Sequence, residues 1–318
     1  MQSMLGVDVG GTKVAVAPVD RSGRPLDRPL IDPSQAVGTA AFLGGLETTL
    51  RKAMAEFAKF EPQAVGLACA GTVDSFEGVV VSSPNLPLKE VPLAGILRRT
   101  LGIPVTLEND ANAAVLGEAV AGAAAGFRHV VMLTLGTGVG GGLYLDGHLY
   151  RGVSGGAAEL GHVVVQADGL PCRCGSNGCL EMYASGSALA RFAAVRAGDE
   201  NMDPTGNLFR LRTQGRLTGR EVSRIARDGD AGALAAVEEL AGWLGIGLVN
   251  MANIFDPDMI VVGGGVGELG ELLIGPARAF LKDNAMPPAR DRVRVASAKL
   301  GNKAGLVGGG LAAWEAFG

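Results

Sequence analysis

Apolar residues fall in short runs punctuated by glycine clusters, and these runs alternate with longer stretches of helical spacing. That alternation predicts an α/β protein. Met4–Val9 is an apolar run ending in Gly10-Gly11-Thr12-Lys13, and Val14–Val19 is a second run, so the pair reads as two strands across a tight turn. Thr39–Phe60 places Phe42, Leu46, Leu50, Met54 and Phe57 on one helical face. Ala64–Ala70 is continuously apolar, as a strand covered on both faces would be. Val79–Val81 and Val105–Leu107 predict further strands, and the alanine-rich Ala111–Ala125 a helix. The opening pattern then returns: Val130–Leu135, a turn over Gly136–Gly142, and Leu143–Leu145, which hints at a duplicated architecture. Gly219–Phe255 reads as helical, Met259–Val262 as a buried strand running into Gly263-Gly264-Gly265, and Ala304–Phe317 as a closing helix. Arg191–Arg220 is polar and irregular, with short helical pieces. No proline-rich or charged linker divides the chain, so the domain crossing is expected near residues 110–125.

Composition narrows the class. With 318 residues, 47% of them hydrophobic and 19% charged, there is apolar material for two domains. Glycine supplies 50 of the 318 residues, roughly double the usual share of about 7%. It clusters between apolar runs without a G-X-Y period, which excludes collagen-like and low-complexity readings. A net charge of −4 argues against an electrostatic nucleic-acid binder. The longest uncharged stretches, such as Leu240–Phe255, are interrupted by Gly and Asn and fall short of the ~20 residues that span a bilayer. The start of the chain lacks a basic n-region and meets Asp8 almost at once, unlike a signal peptide. Three of the four cysteines lie close together rather than spread as a disulfide framework. A cytoplasmic protein without membrane or nucleic-acid partners is expected.

Several segments carry chemistry. In Asp8-Val9-Gly10-Gly11-Thr12-Lys13, paired glycines let backbone amides approach phosphate oxygens, Thr12 adds a hydroxyl, Lys13 adds charge, and Asp8 suits Mg²⁺ directly or through water. The competing reading is an ordinary hairpin turn with a solvated lysine. Gly136, Gly138 and Gly141 satisfy G-x-G-x-x-G, but a strand and turn follow where a dinucleotide fold needs a helix, so a second phosphate loop fits better. Gly152-Val153-Ser154-Gly155-Gly156 matches a nucleophile elbow formally, yet the only downstream histidine is His162, too near in sequence for that triad. Cys172, Cys174 and Cys179 with His162 form a donor set for a closed, tetrahedral and therefore structural Zn²⁺ site. Glu159 and Glu181 flank that set and are suited to accept sugar hydroxyls, or are solvated surface charges. Cys69, in an apolar run, reads as a small buried hydrophobe. In Glu108-Asn109-Asp110-Ala111-Asn112, between strand and helix, Asn109 or Asp110 is either an N-cap or, for Asp110, a general base.

Taken in order, DVGGTK at Asp8–Lys13, ENDANAA at Glu108–Ala114, LGTGVGGG at Leu135–Gly142, GAAAELGH at Gly155–His162, CRCGSNGCLE at Cys172–Glu181, YASGSAL at Tyr183–Leu189 and DPDMIVVGGGV at Asp256–Val266 resemble the ROK family of sugar kinases and repressors. Within it they are most similar to the bacterial ATP-dependent glucokinases. The resemblance runs essentially the full length, departing from the family pattern around Gly71. It implies an actin-like ATPase (ribonuclease H-like) α/β fold of two domains with the active site in the interdomain cleft. The small domain would be residues 1–118 plus the closing helix 303–318, and the large one, residues 119–302, would carry the zinc loop. It implies that Gly10, Gly11, Thr12, Lys13, Thr137 and Gly138 hold ATP phosphates, with Asp8 serving Mg²⁺, and that Gly263, Gly264 and Gly265 lie against the adenosine. Asp110 would be the base for the sugar 6-hydroxyl; Asn109, Asp110, Glu159, His162 and Glu181 would hold glucose. His162 would also ligate zinc with Cys172, Cys174 and Cys179. The implied partners are glucose and ATP, and the implied assembly a homodimer or homotetramer. Mannose, fructose or N-acetylmannosamine as acceptor, and a sugar-sensing repressor, are the alternatives. A repressor of this family carries an N-terminal DNA-binding segment for which a first strand at Met4 leaves no room.

Overall fold

The computed structural model describes residues 2–34, 36–198 and 206–318; residues 199–205, within the irregular stretch Arg191–Arg220, lie outside the described residues. The apolar runs form strands β1 (Ser3–Val9), β2 (Lys13–Val19), β3 (Leu30–Pro33), β4 (Pro62–Cys69), β5 (Thr72–Asp74), β6 (Val79–Ser82), β7 (Lys89–Val91) and β8 (Val105–Asn109). They continue with β9 (Val130–Leu135), β10 (Val139–Leu145), β11 (His148–Leu149), β12 (Met259–Gly263) and β13 (Arg294–Ser297). One five-stranded sheet has the order β3-β2-β1-β4-β8, the other β11-β10-β9-β12-β13, and β5-β6-β7 form a small antiparallel sheet. The two larger sheets repeat one plan. In each, an antiparallel hairpin edge (β2/β3, β10/β11) leads to a parallel half (β1/β4/β8, β9/β12/β13). The duplicated architecture hinted at by the two glycine turns is therefore real.

Parallel strands are buried on both faces, and Val65, Leu67, Ala68 and Cys69 of β4 are fully so. One face of this sheet is covered by the helix Ala304–Phe317, whose Gly308-Gly309-Gly310 lets backbone meet backbone. A side chain at Gly66 would overlap the Gly309 carbonyl, and one at Gly308 would overlap that of Ala113. Each glycine inside a helix costs about 1 kcal/mol of propensity, so three in a row are retained for this approach.

The chain divides into two compact units: Met1–Arg128, Gly142–Ala158 and Lys299–Gly318 form the first, and His129–Gly141 with Glu159–Ala298 the second. Boundaries differ from the sequence pattern at three places. The second glycine turn covers only Gly136–Gly138, because β10 begins at Val139; glycine content disguises the start of a strand whose Gly141 and Gly142 are buried. The alanine-rich helix runs Asp110–Ala121, starting one residue earlier and ending at Gly122. The glycine cluster past β12, to which the pattern assigns no element, opens a single helical turn over Gly264–Gly267.

Leu240–Phe255 is the C-terminal part of a 25-residue helix, Ala231–Phe255, which is long and apolar enough by length and composition to cross a bilayer. Half of its most apolar window is buried, packed against the helices Gly186–Arg196, Gly219–Arg227 and Glu271–Asn284. That is how a core helix passes the same test.

Candidate active site

In the first unit, the carboxyl ends of three parallel strands bring the chemistry together. β1, β4 and β8 lie side by side with Asp8 opposite Ala68, and Val9 and Asn109 both opposite Cys69. Strand ends of parallel α/β sheets are where such folds bind ligands. Past Asp8 the chain makes the turn Gly10–Thr12, in which the Gly10 N–H donates to the Lys13 carbonyl at 3.0 Å and Ser34 Oγ donates to the Gly10 carbonyl at 2.6 Å. Thr12 and Lys13 are exposed. A Cβ on Gly11 would come within 2.9 Å of Asn85 Cβ, and one on Gly305 within 3.2 Å of the Asp8 carboxyl carbon. The first turn of the last helix thus abuts Asp8, bringing the positive end of its dipole to that carboxylate.

Of the two alternative caps, Asn109 takes the role. Its Oδ1 accepts from the backbone N–H of Ala111 (2.9 Å) and Asn112 (3.1 Å), and its Nδ2 donates to the Gly71 carbonyl at 2.9 Å. Asp110 follows in the first turn. Its surface is open to solvent, yet protein rings it closely enough to strip much of its hydration, and this burial raises its pKa from 3.8 to about 6. The Ala111 N–H opposes the rise and the Asp8 charge adds to it. Asp8 is itself raised by burial, with Lys13 pulling it back. Burial, with Asp110 and Asp8 adding, pushes the Cys69 thiol up to about 12, so it stays protonated and inert.

The sequence alone assigns no role to two further carboxylates: Glu108, which heads the ENDANAA motif, and Glu118. Glu108 is buried; its Oε1 accepts from the Asn109 N–H and from Asn112 Nδ2, both at 3.0 Å, and its Oε2 accepts from Arg151 Nε at 2.6 Å. Arg151 also reaches Glu315 at 3.5 Å. Glu118, fully buried, accepts backbone N–H bonds from Ala123, Lys299 and Leu300 at 2.6, 3.1 and 2.7 Å. The available signal was acidic residues inside otherwise apolar segments, a placement that demands a partner.

In the second unit, His162, Cys172, Cys174 and Cys179 converge, with one donor atom from each lying within 4.8 Å of all the others. His162 Nδ1 stands 3.6 Å from Cys172 Sγ, and Cys174 Sγ 3.6 Å from Cys179 Sγ. Tetrahedral zinc with bonds of about 2.3 Å to sulfur requires ligand separations just under about 4 Å, so the donor set fits that ion in type, number and spacing. The Ser176 N–H draws the exposed Cys174 thiol below its ordinary value, whereas burial pushes Cys179 up to about 12. The loop is shaped for tight wrapping: Gly178 has φ +75, and any Cβ there would overlap the Gln166 carbonyl. Tyr183 clamps it from behind, its hydroxyl accepting from the Leu170 N–H at 2.7 Å and its ring centroid 4.3 Å from that of Trp243.

Glu181 Oε2 accepts from the Val139 N–H at 3.0 Å and lies so close to Gly138 that a side chain there would overlap it. A side chain on Gly161 would likewise overlap the Val139 carbonyl, so the Leu160–His162 turn and Glu181 both rest on the start of β10. The carbonyl of exposed Thr137 accepts from Ser187 Oγ at 2.8 Å, and that of Gly136 from the Gly186 N–H at 2.8 Å. Glu159 is exposed just before the turn carrying His162. Gly263 closes β12, and Gly264 and Gly265 are exposed at the start of the following helical turn.

Comparison with known proteins finds relatives over nearly the whole chain. The model of the ROK family matches residues 4–315. A glucokinase from Streptomyces coelicolor is 40% identical over 314 residues, covering 96% of this chain and 95% of the relative. Among solved structures, a ROK family glucokinase from Streptomyces griseus, in complex with glucose and AMPPNP, matches with a TM-score of 0.83 and 38% identity, covering 98% of this chain and 99% of the other. A ROK hexokinase from Thermus thermophilus matches with a TM-score of 0.79 and 35% identity over 98% of both chains.

Proposed function

Because the chain belongs to the ROK family, we propose that it is an ATP-dependent glucokinase that transfers the γ-phosphoryl group of ATP to the 6-hydroxyl of glucose. The observation that carries this reading is its likeness, over nearly both whole chains, to the Streptomyces griseus enzyme bound to glucose and an ATP analogue. The actin-like ATPase fold, with its paired sheets, is the frame for the roles that follow.

Phosphoryl transfer passes through a loose transition state, so catalysis is mainly alignment and charge neutralisation. Asp110 orients the sugar hydroxyl and accepts its proton as the new O–P bond forms. A pKa of about 6 suits the task, because the group is ionised at neutral pH and more basic than an ordinary carboxylate. Gly10, Gly11, Thr12, Lys13, Thr137 and Gly138 hold the phosphates, and Gly263, Gly264 and Gly265 lie along the adenosine. Asp8 would hold Mg²⁺, which when bound supplies neutralising charge at the phosphates. Asn109, Glu159, His162 and Glu181 hold the glucose hydroxyls. Zn²⁺ on His162, Cys172, Cys174 and Cys179 would stiffen the segment between the two acids. His162 Nδ1 faces Cys172, which supports giving the other ring nitrogen to the sugar. We further infer a cytoplasmic homodimer or homotetramer without nucleic-acid or membrane partners, a state that size-exclusion chromatography with light scattering measures.

The test is ADP release by purified protein with Mg-ATP across glucose, mannose, fructose, N-acetylmannosamine and N-acetylglucosamine. A strong preference for glucose is expected; no turnover with any sugar by folded, zinc-loaded protein would refute the kinase. Similarity to the Thermus thermophilus hexokinase favours a second reading, a broader hexose range, which comparable kcat/KM for several sugars would establish.

A further inference from the structure

The residue two before the proposed base is a buried carboxylate, a costly group to keep in an apolar strand. Glu108 has a side chain only 2% exposed, and its partner Arg151 is 26% exposed. Replacing such a pair by well-packed apolar residues is often neutral for stability, so stability alone gives no reason for it here. What Glu108 holds is informative. One oxygen grips the Asn109 N–H and the Asn112 side-chain amide, which bracket Asp110 in the chain. The other oxygen is taken by Arg151 Nε, and Arg151 is steadied from its far side by Glu315 of the last helix. The Asn109 side chain does not depend on this device, being fixed by its own bonds to Gly71, Ala111 and Asn112. The Asp110 carboxylate is tied to the first turn of the helix, its Oδ1 accepting from the Ala111 N–H at 2.9 Å, so its direction follows the turn that Glu108 braces.

We propose that Arg151 is a positioning residue for the phosphoryl transfer: through Glu108 it fixes the first helical turn and so aims the Asp110 carboxylate at the sugar hydroxyl. This rests on Asp110 being the base. Without Arg151, Glu108 would seek water or another donor, Asn112 would lose a fixed acceptor, and the turn would gain freedom where the base needs a single orientation. A misplacement on the order of 1 Å costs a reacting group up to about a hundredfold in rate.

The test is a double-mutant cycle in kcat, with glucose and ATP KM measured alongside. Arg151→Met is expected to lower kcat by about tenfold to a hundredfold, with either KM changed by less than about threefold; Arg151→Lys, which restores charge without the planar fork, should fall between. In an Asp110→Asn background, Arg151→Met should have almost no further effect, because its action runs through the base. A merely structural role would lower kcat by the same factor in both backgrounds, and that result would overturn the proposal. So would a folded Arg151→Met with kcat within twofold of the unmodified protein. If Arg151→Met does not fold, Glu108→Gln/Arg151→Met, which leaves no buried charge unpaired, replaces it with the same expected loss. Failure of the kinase reading itself appears separately, as an unmodified protein that turns over no hexose, and takes this role with it.

Discussion

The raised pKa of Asp110 makes the pH profile the sharpest probe of the site. A base works as its carboxylate, so kcat/KM should fall as the pH drops through about 6, where Asp110 becomes protonated. With that value, about half of the sites are ionised at pH 6 and about a tenth at pH 5. An ordinary aspartate would remain more than about nine-tenths ionised at pH 5. The expected loss between pH 7 and pH 5 is therefore about tenfold, against almost none for an unshifted group. ATP phosphates also titrate in this range, and Asp8→Asn separates the two. The Asp8 charge is one cause of the rise, so its removal should move the acid limb to lower pH while lowering the whole curve; a limb set by ATP would not move. Acid unfolding does not mimic this through Asp110. With the folded pKa above the unfolded one, the native state binds this proton more tightly, and the group's contribution to stability falls, rather than grows, as pH rises from about 4 to about 6. Initial rates from pH 5 to 8, with zinc content checked at each end, make the measurement. A limb centred below about pH 5, or one unmoved by Asp8→Asn, would refute the reasoning.

Other expectations follow from the geometry. Asp110→Ala should lower kcat by about two to four decades with glucose binding nearly intact, as calorimetry would read. Metal analysis should find one zinc per chain, and Cys179→Ala should abolish it and lower Tm by several degrees, since site formation and folding are linked. Gly138→Ala forces Glu181 off the start of β10, and should raise glucose KM by about tenfold or more with a smaller change in kcat. Gly308→Ala drives a methyl group into the Ala113 carbonyl and should cost about 3 kcal/mol in urea unfolding, or prevent folding.

The local features were legible because local pattern encodes them. Apolar runs bounded by glycine announce buried strands, so the pattern places β1, β2, β4, β9 and β12 close to their bounds. The thiols sit close in the chain, so their convergence with His162 followed from spacing and ligand chemistry. Asn109 and Asp110 stand out as a pair without a way to divide their roles, since both residue types cap helices; the bonds to Ala111 and Asn112 decide it. What stayed hidden depends on residues distant in sequence. Nothing near Glu108 points to Arg151, and nothing near Glu118 points to the amides of Lys299 and Leu300. Periodicity reports which face of an element is covered, not which side chain covers it.

The backbone-to-backbone seating of the last helix has a consequence for how substitution data on this protein would be interpreted. A helix lying on side chains can slide or rotate by fractions of an ångström while the chains adjust. This one meets Gly6, Gly66 and Ala113 through bare peptide groups, so its position is indexed like a key in a lock, and its first turn arrives against Asp8 at a fixed height. A saturation scan would therefore score Gly66 and Gly308 as intolerant as Asp110, though neither touches a reactant. Soluble yield separates the two kinds of intolerance: substitutions at the mechanical sites remove the protein, whereas those at the chemical site leave it folded and silent.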